Sequence, residues 1–184
     1  MPSHKEMHKD MKRLLASICF AVVLAAVPCF AQVISTPGAP AAPAAPIEIS
    51  AEMRIPLDQA LKAVQAAQSA CSSQGATNTV EVVDLNNNIK VLLSSDRAVN
   101  ASFEYARKKA YTVLKKGMAS GAFGKTLGQL PRGAVIEGDP NLIQYAGAVP
   151  IMRSNMLIGA VSVSSSKGQL DESCAMVGLA EFHF

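Results

Sequence analysis

The sequence predicts an α+β fold in which a small antiparallel β-sheet is flanked by helices. Two observations support this class. Strand-like segments follow one another across short turns, where a parallel sheet would need helical crossovers between them. Helical periodicity occurs before, between and after these strands, which gives the order helix, hairpin, helix, long loop, strand meander, helix. Aromatic residues make up 5% of the 184 residues and Trp is absent, so we expect an aliphatic core.

Residues 1–31 have the layout of a secretory signal peptide. Lys12 and Arg13 precede an almost wholly apolar run of about 14 residues, and a small-x-small site ends at Ala31. The run is shorter than the roughly 20 residues that a transmembrane helix needs. We therefore expect cleavage after Ala31 and a secreted or periplasmic mature protein.

Met11 begins a more compact version of the same signal, and we interpret it as the true start of translation. The alternatives for this region are a buried N-terminal helix and a lipoprotein acylated at Cys29. Pro28 disfavours the second, because a small residue is wanted before an acylated cysteine.

Residues 32–47 are predicted to form a linker. Its central part reads TPGAPAAPAAP, and proline fixes φ and removes hydrogen-bond donors, so the segment is an extended spacer. The folded domain is then predicted to cover residues 48–184.

Charge gives the mature chain no general attraction for nucleic acid. Four of the 17 basic and two of the 14 acidic residues precede Gln32, so 13 basic and 12 acidic residues remain. A net charge of +1 provides no field for a polyanion, and we expect no nucleic-acid partner. The one basic cluster lies on a single predicted helix and consists of Arg107, Lys108, Lys109, Lys115 and Lys116.

The first predicted helix covers residues 57–73. Pro56 suits its first turn and Gly75 its end. Its apolar stripe is formed by Leu61, Val64 and Cys71, beside Ala60, Ala63, Ala67 and Ala70. A hairpin follows, with strands at residues 79–83 and 89–93 and a turn at Asn86-Asn87-Asn88.

The second predicted helix, residues 99–116, has the clearest periodicity. One continuous face is predicted to be buried and contains Val99, Phe103, Ala106, Ala110, Val113 and Gly117. The opposite side carries Arg107, Lys108, Lys115 and Lys116, which we expect to be in solvent.

A long loop is predicted at residues 119–140, with one short helical turn at residues 126–130. Strand segments follow at residues 142–145, 148–152 and 156–164, and Ser154-Asn155 forms a hairpin turn. Pro150 marks an edge or a bulge. Residues 170–182 are the closing helix, with Asp171 and Glu172 in its first turn.

Two cysteines remain after export, Cys71 and Cys174, each on a predicted helix. An oxidising compartment allows them to form a disulfide if the first and last helices lie side by side. The alternative is a pair of buried thiols that act as small apolar side chains. Without a CxxC or Cys/His cluster, the sequence does not predict a zinc site.

Residues 54–182 resemble the GlcG/HbpS family, also called the haem-degrading domain family. The resemblance depends on the order and spacing of several short segments: Leu57-Asp58-Gln59-Ala60, Val82-Val83-Asp84, Ala101-Ser102-Phe103-Glu104-Tyr105-Ala106, Lys109-Ala110-Tyr111-Thr112, Gly147-Ala148-Val149-Pro150-Ile151, Ile158-Gly159-Ala160-Val161-Ser162-Val163-Ser164 and Gln169-Leu170-Asp171-Glu172 with Cys174-Ala175 and Gly178-Leu179. The chain departs from the family at Ala146 and Ala148, and at Ser164-Ser165, where glycine is usual.

The resemblance implies a profilin-like layering of helices and sheet, commonly assembled into dimers and larger rings. It also implies haem as a ligand, because the exported members sequester haem, and some of them signal to a membrane sensor protein. Our expectation is therefore an exported haem-binding homo-oligomer without turnover of its own.

The segment Lys109-Ala110-Tyr111-Thr112 is the preferred haem site. Tyr111 or Thr112 would offer an oxygen ligand, and Arg107 and Lys108 would meet the propionates. The alternative is that Tyr111 packs between helix and sheet while the lysines form a solvated face.

His183 is the only histidine after residue 31 and offers a further axial ligand, although a terminal position favours fraying. Tyr145, Met152 and Met156 are alternative ligands with a competing role in the core. Glu81 and Asp84 are interpreted as solvated charges.

An enzyme or accessory protein for a small organic substrate is the alternative function. Its site would lie at a subunit interface around Tyr111 and the glycine loop at residues 117–128. No hydrolase or nucleotide-binding motif is present, so the sequence does not indicate a conventional enzyme of either type.

Overall fold

The computed structural model describes residues 48–184, so the predicted signal peptide and linker lie outside the described residues. Within that range the helices are α1 (Leu57–Ser72), α2 (Asn100–Lys116), α3 (Ser120–Thr126) and α4 (Asp171–Leu179). The strands are β1 (Asn78–Asp84), β2 (Ile89–Ser94), β3 (Ala148–Arg153) and β4 (Met156–Ser165). Short 3₁₀ turns occur at Ala51–Met53 and Gly168–Leu170.

The four strands form one antiparallel sheet in the order β2-β1-β4-β3. The predicted α+β class and both hairpins are confirmed. Ser154 and Asn155 have φ values of 50° and 63°, as a two-residue hairpin turn requires. Pro150 lies in β3, which is an edge strand, where a missing backbone donor is tolerated.

One face of the sheet is covered by α1 and α4. The aliphatic core there joins Val80, Val82, Val161 and Val163 to the buried alanines of α1. At Gly178, an added Cβ would lie 2.7 Å from the Ala63 carbonyl oxygen, so only glycine lets α4 approach α1 this closely.

Cys71 and Cys174 form a disulfide between these two helices, with their Cα atoms 5.7 Å apart. Both residues are buried. Of the two states that the sequence left open, the structure therefore has the bridge.

The other face of the sheet packs against α2 through small residues. Ala106, Ala110 and Val113 meet Val83, Ala148 and Ala160 of the sheet. Polar groups pair inside this layer. The Ser162 hydroxyl donates to the Ala106 carbonyl oxygen at 2.8 Å, and the hydroxyl oxygens of Thr79 and Ser102 lie 2.9 Å apart.

The buried face of α2 is rotated from the predicted one. Val99 and Phe103 were expected inside but are 67% and 43% exposed. Ser102 and Lys109 are buried instead, because both find hydrogen-bond partners within the protein. In α1, Leu61 is likewise exposed, while its alanine and cysteine neighbours are buried.

The long loop also differs from its prediction. Its helical turn begins earlier, at Ser120, and continues to Thr126 as α3. Residues 142–145 are not a strand, because the Ile143 amide donates to the Thr112 hydroxyl of α2 and not to a neighbouring strand. The closing helix ends at Leu179, three residues before its predicted end.

No helix within residues 48–184 is long and apolar enough to cross a bilayer.

Candidate functional site

Two clefts share Gln144 and Tyr145 as lining residues. The first has a volume of about 340 Å³ and lies between the first half of α2 and the loop that precedes β3. Its lining includes the apolar side chains of Ala134, Val135, Ile136 and Leu142. Polar groups come from Glu104, Tyr105, Lys108, Gln144 and Tyr145.

Tyr105 and Tyr145 form an aromatic pair in this first cleft. Their ring centroids are 5.8 Å apart and their planes are inclined at 68°, an edge-to-face arrangement. Tyr105 comes from the outer face of α2, and Tyr145 from the extended segment before β3. Two phenol groups are thus held together on an otherwise largely apolar wall.

Three side chains of α2 fasten the loop that forms this wall. The Lys108 ammonium donates to the Pro140 carbonyl oxygen at 3.0 Å, and the Tyr111 hydroxyl donates to Asp139 Oδ2 at 2.7 Å. The Thr112 hydroxyl accepts the Ile143 amide at 3.0 Å. These bonds fix the loop against a rigid helix.

The second cleft is larger, about 680 Å³. Its lining includes Gly121, Gly124, Gly128, Lys125, Arg132 and Glu172. Gln144 stands between the two clefts, where its side-chain amide donates to the Leu130 carbonyl oxygen at 2.9 Å and accepts the Leu130 amide at 3.3 Å.

The predicted oxygen ligands Tyr111 and Thr112 lie inside the wall and do not line the first cleft. Tyr111 packs against Phe123, Ile136 and Leu142. Burial, and then its hydrogen bond to Asp139, raise the pKa of the Tyr111 phenol to about 12. Thr112 is fully buried, and its hydroxyl also donates to the Lys108 carbonyl oxygen at 2.8 Å.

The predicted cations are also engaged elsewhere. Arg107 Nη1 lies 3.3 Å from Glu81 Oε2, and its Nη2 donates to the Asn87 carbonyl oxygen at 2.8 Å. Lys109, a residue of the predicted haem segment, is buried with its ammonium 2.5 Å from Asp171 Oδ2. Burial is the main cause that lowers the pKa of Lys109.

Lys108 alone of the three neighbouring basic residues 107–109 lines the first cleft. His183 is exposed near Gln59 of α1, on the opposite side of the sheet from α2. The structure thus does not bring the five predicted site residues together.

Glu81 was predicted to be a solvated charge, and this prediction is wrong. Strand alternation places it on the α2 face, where it is wholly buried against Arg107. Burial raises the pKa of its carboxyl to about 7, although Arg107 opposes the shift. Within the described residues, Glu81 Oε1 has no hydrogen-bond partner.

The site residues that the sequence prediction missed are Tyr105 and the cations Lys125 and Arg132. A signal for the first was available: Ala101, Tyr105 and Lys108 recur at helical spacing and all line the first cleft. Tyr145 was already an alternative ligand. Lys125 and Arg132 had no sequence signal, because the loop conformation places them.

Solved structures with the same fold include two of HbpS. A crystal structure of HbpS is 30% identical, covers 71% of this chain and 92% of that chain, and has a TM-score of 0.63. A double mutant of Streptomyces reticuli HbpS is 29% identical and covers 80% and 100% of the two chains, with a TM-score of 0.65.

A structure described as a PduOC:heme complex shares the fold at 20% identity, with a TM-score of 0.62 and coverage of 70% of this chain and 95% of that chain. No curated protein sequence matches the chain significantly.

A family model described as "Haem degrading protein HbpS-like" matches residues 55–180. This range is close to the residues 54–182 that carried the resemblance, so that prediction is confirmed. The protein belongs to the HbpS-like haem-degrading protein family.

Proposed function

We propose that this protein binds haem in the first cleft, with Tyr145 as the oxygen ligand. The observation that carries the proposal is the pair of phenol rings, Tyr105 and Tyr145, on a largely apolar wall beside Lys108. Membership of a haem-degrading family supports the choice of ligand, as does a haem complex of a protein with the same fold.

The residues of the cleft fit this group. Haem needs an apolar slot, an iron ligand and cations for its carboxylates, and a tyrosine oxygen is one of the ligands that proteins use. A cleft of about 340 Å³ that opens beside a second one lies within the usual range for small-molecule sites. When bound, haem would supply an iron centre able to accept a phenol oxygen.

The geometry favours Tyr145 over Tyr111 and Thr112 as the iron ligand. It lines both clefts, and no hydrogen bond engages its hydroxyl within residues 48–184. The Tyr111 hydroxyl is held by Asp139, and the Thr112 hydroxyl serves one donor and one acceptor. We therefore propose that Tyr111 and Thr112 hold the loop that forms the wall of the first cleft and do not bind the iron.

The test is a titration of the purified protein with haemin, followed at the Soret band, for the wild type and for Tyr145→Phe, Tyr105→Phe and Tyr111→Phe. Saturable binding is expected, with the spectrum altered most by Tyr145→Phe. Tyr111→Phe is the matched control, because it removes the same hydroxyl from outside the cleft. Non-saturating absorbance in the wild type would refute haem binding, and a shift caused only by Tyr111→Phe would refute the ligand assignment.

We further propose that this protein binds haem without degrading it. Among the described residues, the first cleft is lined by one carboxylate, Glu104, and one ammonium, Lys108, and by no imidazole or thiol. A stable Soret band after addition of ascorbate in air is the expected result. Bleaching of that band would show turnover.

Export and assembly are part of the same proposal. The signal-like pattern of residues 1–31 supports export, and the Cys71–Cys174 disulfide is of a kind that persists outside the cytoplasm. N-terminal sequencing of the mature protein tests cleavage after Ala31. Exposed Val99 and Phe103 on α2 support a homo-oligomer, which light scattering tests. A membrane sensor partner stays a prediction from the resemblance.

The second cleft favours the alternative function, binding of a small organic substrate. It reaches Gly121, Gly124 and Gly128 of the predicted glycine loop, although not Tyr111, and it contains Lys125 and Arg132. Small hydroxy acids would be its ligands. A rise of several degrees in the melting temperature with such an acid, in protein that does not bind haemin, would favour this function.

A further inference from the structure

We infer that Lys125 and Arg132 of the second cleft receive the carboxylates of a ligand whose apolar body lies in the first cleft. This inference rests on the proposed haem function and names the part of the site that recognises charge. It replaces the predicted roles of Arg107 and Lys108 toward the propionates.

The cations of α2 already have partners inside the protein. Arg107 is paired with Glu81, Lys109 with Asp171 and Lys116 with Glu137. Lys108 donates to the Pro140 carbonyl oxygen. Lys115 lies over the Tyr111 ring, 5.5 Å from its centroid.

Lys125 and Arg132 differ in this respect. Both are exposed, and within residues 48–184 neither has an ion pair, a side-chain hydrogen bond or a ring contact. Their charges therefore remain available to an anion. A carboxylate bound to arginine or lysine forms a charge-assisted hydrogen bond, the stronger class of such bonds.

The backbone of α3 explains why Lys125 lies near Tyr145. A Cβ added at Gly124 would lie 2.0 Å from the Gln144 carbonyl oxygen, and one at Gly121 would lie 2.8 Å from Ala146 Cβ. Glycine at both positions lets α3 pack directly on the segment that carries Tyr145. Lys125, next to Gly124, is thereby held in the cleft that Tyr145 also lines.

The charge balance of the second cleft suits an anion. Its charged lining residues are Lys125, Arg132 and one carboxylate, Glu172. Glu172 also interacts electrostatically with the buried Lys109 ammonium. This positive charge offsets part of the repulsion between Glu172 and a bound anion. A ligand carboxylate thus meets a net positive cleft, beside the aromatic pair that contacts its apolar part.

The test compares haemin with its dimethyl ester, which lacks the two carboxylate charges. Binding to the wild type is measured against Lys125→Gln/Arg132→Gln and against the control Arg54→Gln/Lys62→Gln. The control removes the same two charges from exposed positions beside and within α1. The cleft variant is expected to bind haemin about tenfold more weakly, a loss of about 1.4 kcal/mol. Its affinity for the ester should equal that of the wild type.

The outcomes separate this inference from the proposed function. Saturable haemin binding that is equal in the wild type and the cleft variant would overturn the inference and leave haem binding intact. An equal loss in the control variant would also overturn it, because net charge would then explain the effect. A wild type that binds neither haemin nor the ester would refute the proposed function, and the inference with it.

Discussion

The ammonium nitrogen of Lys109, in the middle of α2, lies 2.5 Å from Oδ2 of Asp171, the first residue of α4. The same ammonium donates to the Val163 carbonyl oxygen of β4 at 3.0 Å. The Ser165 hydroxyl donates to the other Asp171 oxygen at 2.5 Å. One buried ion pair therefore connects α2, β4 and α4 beside Gly147, where an added Cβ would meet Val163, Asp171 and Lys109.

Asp171→Asn is expected to destabilise the protein by about 3–5 kcal/mol, because it leaves the Lys109 ammonium buried without a counter-charge. Urea unfolding measures this loss. Asp58→Asn is the matched control, an exposed acid in the first turn of α1, and should cost less than about 1 kcal/mol. The double variant Lys109→Met/Asp171→Leu should recover much of the loss. Equal effects of Asp171→Asn and Asp58→Asn would contradict this role.

Glu81 predicts a pH dependence of stability. Burial raises the pKa of its carboxyl from 4.5 to about 7, so the folded state keeps a proton that the unfolded state loses between these values. The stability that Glu81 contributes is thus fully present below pH 4.5 and is lost as the pH rises through about 7. At about 1.4 kcal/mol per pKa unit, the loss is about 3 kcal/mol.

Glu81→Gln should remove this pH dependence, because an amide does not titrate while it keeps an acceptor for Arg107. The free energy of unfolding is measured in urea at pH 5 and pH 8. Relative to the wild type, the variant should gain about 2.5 kcal/mol between pH 5 and pH 8, because the unfolded carboxyl is already partly ionised at pH 5. The same pH profile in both proteins would show that Glu81 is ionised throughout.

Periodicity predicted the elements of this fold because their packing is mostly local and apolar. The β-branched residues of 79–83 favour a strand, which is buried on both faces, and the alanine stripe of α1 follows from burial on one face. The rotated face of α2 was not predictable in this way. Hydrophobicity alone favours Phe103 over Lys109 inside, whereas the partners that allow Lys109 to be buried, Asp171 and Val163, lie more than 50 residues away.

The candidate site was predictable only in part for the same reason. The sequence pattern indicated the correct helix and loop, but it does not determine which of their side chains point into a cleft. Thr112 and Tyr111 became supports because residues 139–143 fold back onto α2. Lys125 reaches the second cleft through the close packing of α3, which two glycines permit, and Arg132 comes from the loop that follows α3.

The Cys71–Cys174 disulfide should contribute about 4 kcal/mol to stability in non-reducing buffer, since it closes a loop with a sequence separation of 103 residues. Dithiothreitol should lower the urea midpoint of the wild type. The variant Cys71→Ala/Cys174→Ala should be less stable and insensitive to the reductant. In protein that begins at Gln32, where Cys71 and Cys174 are the two cysteines present, two free thiols in the oxidised, denatured sample would show that the bridge does not form.

Gly147→Ala should disturb both the fold and the site. Gly147 has a φ of 134°, and an added Cβ would lie 2.5 Å from the Val163 carbonyl oxygen and 2.7 Å from the Lys109 ammonium. Neither group is free to move, because both belong to the buried network around Asp171. We expect a loss of at least about 2 kcal/mol in urea unfolding, with weaker haemin binding because Tyr145 is two residues away.

Gly168→Ala is the control for this substitution. An added Cβ there has its nearest contact, an Asp171 oxygen, at 3.9 Å, and the backbone lies outside the left-handed region. It should leave stability within about 0.5 kcal/mol of the wild type. The chain has alanine at positions 146 and 148 but glycine between them. The clash at Gly147 explains this difference, and full stability of Gly147→Ala would refute that explanation.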